Sequence, residues 1–169
     1  MTNQHGLILT GSGTSWAAIE APLPANADIS MGANISAAAC APASACVVVG
    51  VYAGASSNPH GLLVTGSGTS WTATEAPLPA SATSQADPNL YAVACPSASS
   101  CVVAGDYGDS GASYGLLISG AGTSWTATEA PQPANAATIA ILRTVACASA
   151  TACTAAGWYR DSSGSIGRC

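Results

Sequence analysis

Two hydrophobic patterns alternate along the chain. GLLVTG, at Gly61–Gly66, is a short run of β-favouring residues closed by glycine. SWTATEA, which follows shortly after it, alternates, with Trp71, Ala73 and Glu75 on one face and Thr72 and Thr74 on the other. Two prolines in APLPA then break the run, which suits a loop and not a strand interior. LYAVAC, ending at Cys95, and CVVAGDY, starting at Cys101, are two more short strands joined by the turn-like PSASS. The pattern predicts an all-β chain with four strands per unit. The nearest approach to a helical stripe is NAATIAILRTVA, Asn135–Ala146, and its place in the pattern assigns it to loop followed by strand.

The pattern repeats. GTSWTATEAP is spelled at Gly68–Pro77 and again at Gly122–Pro131, with the near copy GTSWAAIEAP at Gly13–Pro22. Trp16, Trp71 and Trp125 lie 55 and 54 residues apart. Behind them stand GLILTG, GLLVTG and GLLISG; ahead stand the C-x5-C pairs Cys40/Cys46, Cys95/Cys101 and Cys147/Cys153. A Gly-x-Tyr follows each pair, ending at Tyr52, Tyr107 and Tyr159. A period near fifty marks an array of supersecondary units. The chain therefore reads as one domain, 1–169, of three units, 6–60, 61–114 and 115–169.

Four short strands repeated at such a period predict β-propeller blades. GSGTSW resembles a degenerate Asp-box, the S-x-D-x-G-x-T-W hairpin of the sialidase-like (BNR) propellers. Gly13, Ser15 and Trp16 match it, as do Gly68, Ser70 and Trp71, and Gly122, Ser124 and Trp125. Gly11, Gly66 and Gly120 stand where that family has Asp, and Leu9, Val64 and Ile118 where it has the opening Ser. The cysteine, V-G-x-Y and G-L-L-x-T elements also resemble blades of secreted actinobacterial propellers labelled as photosystem II assembly factor-like. If the cysteine hairpin supplies strands A and B and the tryptophan hairpin C and D, the chain runs CD, ABCD, ABCD, AB. Three blades are too few to close a propeller. The expectation is a partial propeller, either the remainder of a longer chain or one that closes as a head-to-tail homo-oligomer.

Charge narrows the partners. Only 7% of residues are charged and the net charge is −5, with three arginines, Arg143, Arg160 and Arg168, and no lysine. That balance argues against nucleic acid and anionic membranes. No apolar stretch is long enough for a membrane-spanning helix, so no membrane span is expected. The N-terminus lacks the features of a signal peptide.

The cysteines point to export nonetheless. C-x5-C is the wrong spacing for zinc, and only His5 and His60 could assist, so no metal or other cofactor is expected. Each pair flanks a five-residue loop, which sets the two cysteines opposite each other on adjacent strands. Facing residues there lie roughly 4.5–5.5 Å apart, within disulfide range. Closing so short a loop contributes roughly 2–2.5 kcal/mol. Disulfides imply an oxidising compartment, so the location expected is extracellular or the cell envelope. Cys169 matches no other cysteine in the repeat.

Repeated residues are read as structural. Glu20, Glu75 and Glu129 share one position, as exposed or loop-bonding carboxylates; the tryptophans pack between sheets; the glycines of GSG and AGT turn hairpins. Asp106, Asp109 and Asp161 are read as members of the polar loop between strands B and C, in Asx-type turns. A sialidase resemblance implies an arginine cluster, a Tyr/Glu pair and an acidic acid/base residue. All three arginines follow Pro133, so no cluster drawn from several units is available, and no catalytic residue is assigned. The function expected is non-enzymatic: an extracellular scaffold binding a protein or glycan, with Trp158, Tyr159 and Arg160 as contact residues. Two alternatives are a fragment of a sialidase-like hydrolase whose catalytic residues lie elsewhere and a lectin-like carbohydrate binder.

Overall fold

The structure is a computed structural model that describes residues 4–41 and 45–163 and the backbone of 166–168. Cys169 lies outside the described residues. Every regular element described is a β-strand.

A two-stranded hairpin opens the fold, β1 (Leu7–Ser12) against β2 (Ser15–Glu20). A four-stranded antiparallel sheet follows in chain order: β3 (Ala33–Cys40), β4 (Cys46–Ala53), β5 (Pro59–Ser67) and β6 (Ser70–Glu75). The same meander recurs in β7 (Asp87–Ser97), β8 (Ser100–Asp109), β9 (Ala112–Ala121) and β10 (Ser124–Glu129). The last hairpin pairs β11 (Ala136–Ser149) with β12 (Ala152–Asp161), and the short β13 (Ile166–Arg168) lies on the outer edge of β12. A single parallel bridge, Ile139 to Ser113, joins β11 to β9. Apart from the added β13 and the one parallel bridge, strand order and antiparallel sense follow the repeat.

The core sits between consecutive sheets. Leu62 and Val64 on β5 point back to the first hairpin and pack with Ile8, Ala21, Ala33 and Val48. Leu63, between them in sequence, points forward to Leu90, Val103, Leu116 and Ile118 of the next sheet. All of Leu62, Leu63 and Val64 are fully buried, because a middle strand of a stacked sheet has no solvent face. Burial of each such side chain is worth about 1.5–3 kcal/mol. Gly61 opens this strand because a Cβ there would stand 2.7 Å from the Ala76 Cβ and 3.4 Å from Leu90 Cδ1. The glycine lets the next sheet close down.

Three disulfides cross-link Cys40–Cys46, Cys95–Cys101 and Cys147–Cys153. Their Cα atoms are 3.9, 4.1 and 4.0 Å apart, closer than the 4.5–5.5 Å expected of facing residues. In the second and third units the expected five-residue loops are also shorter. The ladder resumes past the cysteines at Ser97–Ser100 and Ser149–Ala152, after a register shift, leaving two-residue turns.

Other local expectations need correction. Asn135–Ala146 is not loop then strand: β11 already starts at Ala136, where it faces Asp161, and its irregular first part is held by the Ile139 bridge. Asp106 and Asp109 are buried strand residues, because β8 and β9 run on to a tight turn at Ser110–Gly111, both with positive φ (53° and 84°). Asp161 does form the expected Asx-type turn, accepting from the Ser163 backbone N–H and hydroxyl. Trp71 and Trp125 pack against the buried clusters, whereas Trp16 is exposed. Each indole N–H closes its own hairpin turn by donating to the carbonyl of Gly13, Gly68 or Gly122.

Candidate functional site

Two kinds of polar cluster occur, one repeated and one not. The repeated kind sits at each junction between sheets. At the first, the Tyr52 hydroxyl donates to Asn26 Oδ1 (2.9 Å) and Glu75 Oε2 (3.3 Å), and Asn26 Nδ2 donates to the same carboxylate oxygen (2.8 Å). His60 Nδ1 holds the other oxygen at 2.7 Å, and its ring stacks on Tyr52. Asn26 comes from the loop after the preceding hairpin, so the cluster ties one unit to the next. Burial pushes Glu75 upward, but the bonds from His60, Asn26 and Tyr52 outweigh it and hold its carboxyl below the usual range. Burial pushes the Tyr52 phenol up to about 12.

The second junction repeats this with two exchanges. Ser81 replaces Asn26, donating to Glu129 Oε2 at 3.2 Å, and Tyr114 replaces His60, stacking on Tyr107 at 5.3 Å. The Tyr107 hydroxyl donates to Glu129 Oε2 at 2.7 Å. Asp109 adds a further tie, accepting from the Thr83 N–H and hydroxyl at 2.7 Å each. At the third junction Tyr159 donates to Asn135 Oδ1 at 3.3 Å. In the first hairpin Glu20 bonds His5. The repeated glutamates are thus loop- and junction-bonding carboxylates, as the repeat implies.

The non-repeated cluster consists of Tyr91, Asp106 and Arg143. Register shifts fall between Ile35 and Ala37, Leu90 and Ala92, and Leu142 and Thr144. Each marks a bulge, at Ser36, Tyr91 and Arg143 respectively, and bulges re-aim side chains. The facing glycine makes room: a Cβ on Gly105 would stand 2.1 Å from the Asn89 carbonyl oxygen. The exposed Arg143 guanidinium lies over the Tyr91 ring, 4.0 Å from its centroid. That is a cation–π contact between consecutive units. Asp106, where the other units carry Val51 and Trp158, is 4% exposed, and its Oδ1 has no hydrogen-bond partner. Burial raises the Asp106 carboxyl above its ordinary value, against the opposing pull of the Tyr91 hydroxyl and the Arg143 charge. Burial and the Asp106 carboxylate together push Tyr91 up to about 12. The set offers a guanidinium, a phenol and a buried carboxyl that resists ionisation.

The sequence-selected contact residues divide. Trp158 and Tyr159 line a cavity of about 330 Å³ with Pro131, Pro133, Ala140 and Leu142. Arg160 is exposed and pairs with Ile166 of β13. Arg160 does not line that cavity, so the structure brings two residues of the triplet together and not the third. Tyr159 serves as the repeat tyrosine through Asn135. Sequence reasoning missed the Tyr91–Arg143 pair. The available signal was a large or charged residue at a position that is Ser36 in the first unit. Among the described residues, no group of three or more His, Cys, Asp or Glu is placed to hold a metal ion.

In comparisons with known proteins, no family model matches the chain, and no curated protein or solved structure is significantly similar to it.

Proposed function

We propose that the chain is a run of β-propeller blades of the degenerate Asp-box type, acting outside the cell or in the cell envelope as a non-enzymatic scaffold that binds a protein or glycan. The stacked four-stranded meanders and the copied junctions support the blade reading. The three disulfides are consistent with an extracellular location.

One observation carries the binding reading. The units are near copies, yet at equivalent positions only the second and third bring together Tyr91, Asp106 and Arg143. Glu75 and Glu129 are engaged in holding units together and Glu20 is bonded to His5, so these divergent residues are the chemistry left over. An exposed guanidinium seated on an aromatic face suits sugar hydroxyls or a polar protein loop. Screening oxidised protein against a glycan array and a panel of secreted proteins tests this, with Arg143→Ala as the control. Binding lost in Arg143→Ala supports the site. Turnover of a fluorogenic glycoside, abolished in Asp106→Asn, would replace it with the hydrolase reading.

A further inference from the structure

The strands β3, β7 and β11 lie side by side, with β7 in the middle. In each, a bulge recurs opposite a glycine: Gly50, Gly105 or Gly157. A Cβ on any of these glycines would collide with a carbonyl oxygen of the bulged strand. The bulge is therefore built into all three strands, but the residue it displays is not. Ser36, Tyr91 and Arg143 share no chemistry, although an Ile or Leu precedes each of them. The contact between Tyr91 and Arg143 shows that neighbouring bulges meet. By the same repeat, Ser36 stands on the other side of Tyr91. The three form a row, exposed at Ser36 and Arg143 and half-buried at Tyr91.

Arg143 is the unusual member. The chain has eight acids to three arginines, yet the ion pairs among the described residues are His5 with Glu20 and His60 with Glu75. The Arg143 guanidinium lies over the Tyr91 ring, and its N–H groups have no oxygen acceptor among those residues. The acid of its own cluster, Asp106, is buried with Oδ1 sealed from solvent, and burial disfavours its charged form. An arginine fork set on an aromatic ring with its donors unspent matches a carboxylate in two parallel bonds. The net charge of −5 turns away a chain of repeated negative charges. A single carboxylate in uncharged surroundings escapes most of that repulsion, which salt screens beyond about 10 Å. A sugar ring would want an open aromatic face, and the guanidinium already occupies that of the row's one aromatic residue.

We propose that the partner is a protein, and that the row of bulges takes one Asp or Glu side chain from an otherwise uncharged loop. The carboxylate meets the Arg143 guanidinium. Tyr91 is a positioning residue that holds the guanidinium in place. The Ser36 hydroxyl bonds the backbone of the incoming loop at the far end of the row. Arg143 is then the anchor of the contact, as a desolvated arginine on an aromatic partner commonly is. The inference rests on the binding reading above and narrows it to one chemistry.

The probes are short glycine–serine peptides with one central glutamate or one central glutamine, and free glucuronate as a sugar acid. Binding to the oxidised protein is read by NMR from the Arg143 side-chain N–H and the Tyr91 ring. The glutamate peptide is expected to shift both saturably, and the glutamine peptide to shift neither. Tyr91→Ala should weaken the glutamate peptide about fivefold, the loss of the supporting ring. Arg143→Lys, read from the Tyr91 ring, should weaken it further, because a point charge lacks the fork. An unchanged β spectrum checks the fold of each variant. Equal responses to glutamate and glutamine, no response to either, or wild-type binding by Arg143→Lys would each overturn the inference. Tighter binding of glucuronate than of the glutamate peptide would overturn the choice of a protein partner. A ligand found in the glycan and protein screen and lost in Arg143→Ala keeps the binding reading standing under any of these results.

Discussion

The Tyr107 hydroxyl donates to Glu129 Oε2 at 2.7 Å, bridging the end of β8 to the end of β10, and Ser81 of the preceding loop donates to the same oxygen. One carboxylate oxygen thus fastens two strands and a loop. Tyr107→Phe keeps the ring stack on Tyr114 and deletes the bond. The expected loss is about 1–2 kcal/mol in denaturant unfolding. Glu129→Gln should lose a similar amount, and the double variant should lose less than both together, because one bond is removed twice. Additive losses would mean that the bond contributes nothing.

The strand order was legible because three copies of one phrase fix each other's boundaries. Cys95 and Cys101, then GLLISG and GTSW, recur at intervals that admit one meander, and the hydrophobic alternation of SWTATE matches the packing of Trp71 and Ala73. The burial of Asp106 and Asp109 was not legible. DYGDSG has the composition of a polar loop, and only the two-residue turn at Ser110–Gly111 draws both acids into β8. Ser110 adopts a conformation that serine seldom takes, which local propensity does not foretell. The Tyr91–Arg143 contact was hidden for a different reason. It joins equivalent bulges of neighbouring units, and a bulge is invisible until the register is known.

Stability should fall at both extremes of pH. The folded Glu75 carboxyl lies below its ordinary value of 4.5, so its contribution is complete above that pH and is lost as pH falls through the folded value. Tyr52, Tyr91 and Tyr107 are each pushed up to about 12 in the fold from an ordinary 10. Above pH 10 the unfolded phenols ionise first, so stability drops between pH 10 and 12. Thermal melts across pH, together with phenolate absorbance, check both limbs. A flat profile from pH 9 to 12 would contradict the tyrosine burial.

Close packing at the start of β5 gives a size test. Gly61→Ala places a methyl group 2.7 Å from the Ala76 Cβ, between two sheets. Overpacking of this kind costs about 1–3 kcal/mol. The comparison is Gly108→Ala, where the nearest atoms to an added Cβ are at 3.9 and 4.0 Å. That change should be nearly silent in the melting temperature. Equal effects at the two positions would show that strand propensity, not the approach of the next sheet, decides the glycine.

The Cys95–Cys101 cross-link spans a sequence separation of six residues and includes the buried Cys101. Its loop is short, so replacing both cysteines by serine should cost about 2 kcal/mol from the chain-entropy term. Serine at the buried position adds the burial of a hydroxyl. Cys147→Ser with Cys153→Ser removes an equal loop at an exposed position and isolates the entropy term. Urea unfolding of the two double variants separates the contributions. A larger loss at Cys147–Cys153 than at Cys95–Cys101 would contradict the argument.

Asp106 is the buried acid whose ionisation works against the fold. Its Oδ1 has no partner, and burial raises its carboxyl despite the Tyr91 hydroxyl and the Arg143 charge nearby. A carboxyl raised in the folded state penalises folding above its folded value and ceases to do so below the ordinary 3.8. Asp106→Asn removes the charge and keeps the shape. At neutral pH it should melt higher than the wild type. The gap should narrow as pH falls and close below about pH 4, where both side chains are neutral. Removing the cation instead, with Arg143→Gln, should widen the penalty and lower the neutral-pH melting temperature. If Asp106→Asn melts lower at pH 7, the carboxylate is a net stabilising partner of Arg143. The cluster would then be a structural ion pair and not a site held open against the stability of the fold.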